Sequence, residues 1–146
     1  MNFKIAPFHM VEDEVRAILP EHYSEASKLA DYEPLNVDWE YYRQASKLGR
    51  CFVVMIVKKC GVVGYSVFFL DDDTNSMGMV EATNSAIYIK EGHRGKSAAL
   101  LLKEGEKFAK AAGAHKVSYA VKVDRIGNFL NKNGYTPEYT TWSKKL

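Results

Sequence analysis

Ile87-Tyr88-Ile89-Lys90-Glu91-Gly92-His93-Arg94-Gly95-Lys96-Ser97-Ala98-Ala99-Leu100-Leu101 carries the decisive pattern of this chain. An apolar strand end, Ala86 to Ile89, runs into a polar turn, and the turn runs into a helix that begins with small residues. The first turn of a helix has backbone N–H groups without intrahelical acceptors, and the helix dipole adds partial positive charge there. Phosphate binds at such an end when side chains leave the backbone accessible. Gly95, Ser97, Ala98 and Ala99 leave it accessible, and Arg94 and Lys96 add charge beside it. The same residues also suit a capped helix packing its small side chains on a sheet, and taken alone they divide evenly between the two readings.

Upstream, Cys51 to Val57 is a nearly continuous β-branched run, as in a strand covered on both faces. Lys58 to Gly61 makes a turn into a second strand, Val62 to Leu70, and a third spans Met79 to Ile89. Phe3 and Ile5 alternate with polar residues in a first short strand. Helices are expected over His9–Leu19, ended by Pro20, over Tyr23–Ala30, and over Asn36–Leu48, with Asn36 as the cap. Downstream, the helix from Ser97 to Ala112 closes at Gly113. A strand alternates over His115–Val123, a short helix covers Asp124–Lys132, and one or more strands are expected over Tyr135–Lys144. This order predicts an α/β fold, a single mixed, mostly antiparallel sheet with helices on both faces, in one domain spanning 1–146.

The chain has 146 residues, 47% hydrophobic and 26% charged, and a formal net charge of +2. Twenty basic residues against 18 acidic ones give no basic footprint for nucleic acid. No apolar run approaches the ~20 residues that cross a bilayer, and the N-terminus carries no signal-peptide pattern. A cytoplasmic location is expected. The two cysteines, Cys51 and Cys60, have no Cys-x-x-Cys spacing and no nearby histidines, so neither a metal site nor a disulfide is expected.

The central turn resembles the central motif of the GNAT acetyltransferases, Arg/Gln-x-x-Gly-x-Gly/Ala between a strand and a helix. Here it reads Arg94-Gly95-Lys96-Ser97-Ala98-Ala99, preceded by Glu91-Gly92-His93, and it departs from the motif at Ser97, where the family prefers glycine. The resemblance covers residues 50–146 well and 1–50 in outline. The compact layout is also similar to that of small bacteriophage acetyltransferases.

The resemblance implies a GNAT-like acyl-CoA acyltransferase fold and an acetyl-CoA-dependent N-acetyltransferase acting on a primary amine by direct attack. It implies that the pyrophosphate sits on the N–H groups from Arg94 to Ala99. The pantetheine then runs beside Ile87 and Ile89 where that strand splays from 117–121, with Asn128 as a further contact. Glu81 is the candidate base, and Thr83 is the alternative by strict alignment. The usual tyrosine acid is replaced by Leu130, so either Tyr119, Tyr135 or Tyr139 substitutes, with Tyr135 the candidate, or the thiolate leaves without help. The acceptor is expected to be a small-molecule or protein amine, met by Glu21, Glu25, Glu33, Asp38, Tyr32, Trp39, Tyr41 and Tyr42. The molecule is expected to be a monomer or homodimer without nucleic-acid or membrane partners. The rival reading is a non-catalytic coenzyme A- or protein-binding module on the same fold, motivated by Leu130 and Ser97.

Overall fold

The computed structural model describes residues 1–146. Its elements run β1 (Asn2–Pro7), α1 (Phe8–Leu29), α2 (Trp39–Lys47), β2 (Cys51–Lys58), β3 (Gly61–Asp72), β4 (Val80–Ile89), α3 (Lys96–Ala111), β5 (Ala114–Tyr119) and α4 (Asp124–Lys132). The five strands form one sheet in sequence order. The first four pair antiparallel through short connections. β5 pairs parallel to β4, because α3 carries the chain back across the sheet.

Both faces of the sheet are covered. On one, Phe8, Val11, Val15 and Ile18 of α1 pack on Val53, Met55, Tyr65, Val67 and Tyr88. On the other, Leu101 and Ala109 of α3 pack on Phe52, Val54, Ile56, Phe68, Ala82 and Ile89. Two-sided cover explains why β2 is apolar at successive positions rather than alternating. Gly105 lets α3 approach the sheet, since a Cβ there would stand 3.0 Å from the Phe68 ring. No helix is long and apolar enough to cross a membrane.

The N-terminal helices differ from expectation. Pro20 does not end a helix: α1 continues through it to Leu29, and the irregular backbone lies earlier, at Val11 (φ −130°, ψ 18°). A proline costs one backbone bond, and here buried Val15 and Ile18 anchor the turns before it while His22 bonds Tyr65 just after it. Asn36 does not cap α2. Asp38 does, its carboxylate accepting from the Tyr41 N–H at 3.0 Å.

The C-terminal half differs in two places. β5 stops at Tyr119, not Val123, and no strand forms over Tyr135–Lys144. Pro137 lacks a ladder donor, and the tail meets β5 through side chains alone, by the Glu138–Lys116 ion pair at 3.2 Å and the Tyr135–Tyr119 ring contact at 5.3 Å.

The early end of β5 follows from a bulge in β4. Val67 pairs with Ala86 and Phe68 with Asn84, which leaves Ser85 as an extra residue. Pairing between β4 and β5 ends at Asn84–Tyr119, beside that bulge. Asn84 stabilises it from within, its amide donating to Ser66 Oγ, Val67 O and Ala86 O at 2.9, 3.1 and 2.9 Å. Beyond the bulge the two strands part, and a fork opens between them.

Candidate active site

The fork leads into a cleft of about 330 Å³, walled by α1 (His22, Glu25, Ala26, Leu29), Tyr32, the end of β4 (Ile87, Tyr88, Ile89), the start of α3 (Arg94, Gly95, Ala98) and Val123 with α4 (Arg125, Ile126, Phe129). In an antiparallel ladder successive residues turn their N–H and C=O alternately toward and away from the partner. The Lys90 N–H donates to Val63 O of β3, so Tyr88 faces β3 while Ile87 and Ile89 face the fork. Arg94 Nε donates to Ile89 O at 2.9 Å, which fixes that outward direction.

At the far end of the cleft stands the N-terminus of α3. Its cap residue, Gly95, has φ 92° and ψ −127°, a conformation only glycine adopts without strain, and supplies no capping side chain. The amides of Gly95, Lys96 and Ser97 donate no backbone hydrogen bond; the first bonded one is Ala98, to Gly95 O at 3.1 Å. A Cβ at Gly95 would meet nothing within 4 Å. Free amides, an open approach and an apolar cleft beside them fit a long ligand with an anionic end.

One carboxylate ties the mouth together. Glu25 accepts from Arg94, from Tyr88 Oη at 3.0 Å and from Arg125 at 3.4 Å. Burial works to raise its carboxyl, but these donors together hold it below its ordinary value. They join α1, β4, the turn before α3, and α4. Beside it, His22 stacks on Tyr88 at 4.7 Å and its Nδ1 lies 2.6 Å from Tyr65 Oη. Burial lowers His22 to about 4, with the Glu25 charge pulling weakly upward, so the ring is neutral at neutral pH. Burial, aided by Glu25, raises Tyr88 to about 12.

The structure sorts the expected residues. Ile87, Ile89, Arg94, Gly95 and Ala98 line the cleft together. Lys96 and Ala99 share the first turn of α3 but not the lining, and the Ser97 side chain is turned away, buried with Oγ donating to Met1 Sδ at 3.3 Å. Asn128 is exposed on α4, where Ile126 and Phe129 face the cleft instead. Leu130, at the usual tyrosine position, is buried.

Glu81 lies eight residues before Ile89, roughly 26 Å along the strand, and shares its face with Thr83. It accepts from Ser118 Oγ and stands 4.0 Å from Lys116 Nζ. Tyr135 donates to Glu106 at 2.7 Å; burial, then Tyr119 and the Glu106 charge, raise it strongly. The Tyr119 hydroxyl is buried without any hydrogen-bond partner. His22 and Arg125 were not foreseen. Each is a single polar residue on a helix, and nothing in its neighbourhood in the chain marks it.

The family model of the GNAT acetyltransferases matches residues 12–135, and the chain belongs to that family. No curated protein matches the sequence. Solved structures share the fold at low identity. A ribosomal-protein-alanine N-acetyltransferase from Brucella melitensis superposes with TM-score 0.72 at 16% identity over 100% of both chains. A glucosamine-6-phosphate N-acetyltransferase from Arabidopsis thaliana gives 0.71 at 14% over 99% of both. An aminoglycoside acetyltransferase from an uncultured soil metagenomic sample, in complex with sisomicin, gives 0.73 at 11% over 99% of this chain and 94% of that one.

Proposed function

We propose that the chain transfers an acetyl group from acetyl-coenzyme A to a primary amine by direct attack. One observation carries this reading: the fork between β4 and β5 opens directly onto the unbonded amides at the start of α3. Gly95, Lys96 and Ser97 hold the donor's pyrophosphate through those amides, with Arg94 beside them. Ile87 and Ile89 offer outward N–H groups to the pantetheine arm and to the thioester oxygen, the position where a backbone donor stabilises developing negative charge. The donor, once bound, supplies the activated acetyl group.

Glu81 lies on the α1–α2 face of β4, about 13 Å along the strand from the bulge at Ser85. It takes the acceptor's proton through intervening water rather than by direct contact. Of the tyrosines, Tyr119 suits the leaving sulfur better than Tyr135. Tyr135 already donates its proton to Glu106, whereas the buried hydroxyl of Tyr119, the last paired residue of β5, has no acceptor. The acceptor amine is of the kind the neighbours above are named for, an aminoglycoside or glucosamine-6-phosphate. Buried Leu130 in place of the usual tyrosine favours the second reading, a binding module without turnover.

Thermal denaturation with ligands tests the assignment. Acetyl-coenzyme A raises the Tm by mass action, and ATP and NAD do much less. Equal stabilisation by ATP would overturn the donor assignment. Acetyl transfer to a panel of primary amines then separates enzyme from binding module.

A further inference from the structure

We propose that Lys122 is a site of self-acetylation, its amine standing at the rim of the cleft and taking the acetyl group in cis. The inference rests on the donor reading above and on the position of one side chain. Pairing of β4 with β5 ends at Asn84–Tyr119. Lys122 lies three residues beyond that last pair, at a bend between β5 and α4.

Lys122 Nζ donates to Asp31 O at 2.9 Å and lies 4.5 Å from the centroid of the Tyr32 ring. Tyr32 and Val123, the residue next to Lys122, both line the cleft. A primary amine thus stands at the rim of the cavity, held by an aromatic face and a carbonyl oxygen, the pair of groups that suits an alkylammonium. No carboxylate pairs with it, since Asp31 engages Lys145 instead, at 3.4 Å. Lys90, the other lysine near this end of β4, is drawn to Glu21 at 3.6 Å.

The step balances with the donor alone. The Nζ ammonium gives a first proton to water, the freed lone pair forms a C–N bond to the thioester carbonyl carbon, and the nitrogen then gives a second proton to water. The C–S bond breaks, and the departing thiolate takes a proton from solvent. The products are Nζ-acetyl-lysine and coenzyme A. Acetylation removes the charge that Tyr32 holds, so the 30–38 connection loses its tie to the β5–α4 segment.

Full-length protein incubated with acetyl-coenzyme A, followed by intact mass and peptide mapping, tests this. One acetyl group is expected at Lys122, appearing at least tenfold faster than at any other lysine and at a rate independent of protein concentration. Lys122→Arg should lose that modification and keep the thermal shift with coenzyme A. Hydrogen exchange across residues 30–38 should rise in the acetylated protein. Acetylation spread evenly over exposed lysines, or an unmodified Lys122 in protein that coenzyme A stabilises, overturns the proposal while leaving the donor assignment standing. Absence of any shift with coenzyme A removes both.

Discussion

Tyr119→Phe should make the free protein more stable and the enzyme slower. The hydroxyl is buried with no partner at full hydrogen-bond geometry, although the Ser66 and Tyr135 hydroxyls lie close enough to act on it. Burial raises the phenol well above its ordinary range; the Tyr135 and Ser66 hydroxyls work to lower it and the Glu106 charge to raise it. Phenylalanine keeps the ring, its edge-to-face contact with Phe68 at 5.8 Å and its contact with Tyr135 at 5.3 Å, so no cavity forms. A buried donor without an acceptor costs about 1–3 kcal/mol. Removing it returns that amount, and at about 3 °C per kcal/mol for a chain of this size the Tm should rise by about 3–9 °C. With the donor bound the order changes: the hydroxyl then has the leaving sulfur to bond, so acetyl-coenzyme A should stabilise the variant less than the native chain. Turnover should fall by roughly tenfold or more, as expected when one hydrogen-bond donor to a reacting group is removed. Calorimetry with and without acetyl-coenzyme A, followed by steady-state rates, provides the check. An unchanged or lowered Tm in the free variant would show that the hydroxyl is satisfied in the native chain, and the role given to Tyr119 would fall with it.

Three further outcomes are expected. Glu25→Gln removes the one carboxylate among Arg94, Arg125 and the phosphate end of the cleft, so coenzyme A should bind several-fold more tightly by titration calorimetry, with a steeper dependence on salt; weaker binding would mean that Glu25 chiefly positions the arginines. His22 is depressed to about 4 in the fold against an ordinary value of 6.5. The folded state therefore binds fewer protons than the unfolded chain across that window, and the contribution is fully present above pH 6.5 and lost as the pH falls toward 4. At pH 5 the loss amounts to about 2 kcal/mol, and denaturant titrations from pH 7 to 5 should show a smaller decline in His22→Gln than in the native chain. Glu81→Gln should lower kcat by roughly a hundredfold and leave coenzyme A affinity unchanged; an equal rate at every pH would remove Glu81 from the mechanism.

The Ser97 side chain limits one simple test of the anion site. It is buried beside Met1 and faces away from the cleft, so a carboxylate placed there would first meet the protein interior. Blocking the site by charge is better done from Ala98, which lines the cleft.

Much of this molecule is written in short stretches of the chain. The strand, turn and helix from Ile87 to Leu101 could be read directly because each signal is local: a β-branched strand end, glycines at the turn, small residues at a helix start. β2 and β3 were legible for the same reason, and the amides at Gly95 to Ser97 follow from helix geometry alone. The N-terminal helices were read less well, because Pro20 and Asn36 are local stop and cap signals that packing overrode. Val15, Ile18 and His22 hold α1 together across Pro20, and Asp38 caps α2 in place of Asn36. The strand expected over Tyr135–Lys144 had suitable residues but no ladder to join. The candidate site depends still more on distant pairs. Glu25 meets Tyr88, Arg94 and Arg125 across 63, 69 and 100 residues of chain. Whether β4 parts from β5 depends on one extra residue, Ser85, whose effect is visible only against the register of β3. Local periodicity sets which residues can form a strand or a helix start; only packing between elements decides where the sheet opens and which side chains meet in the opening, because those energies belong to pairs that have no fixed spacing in the chain.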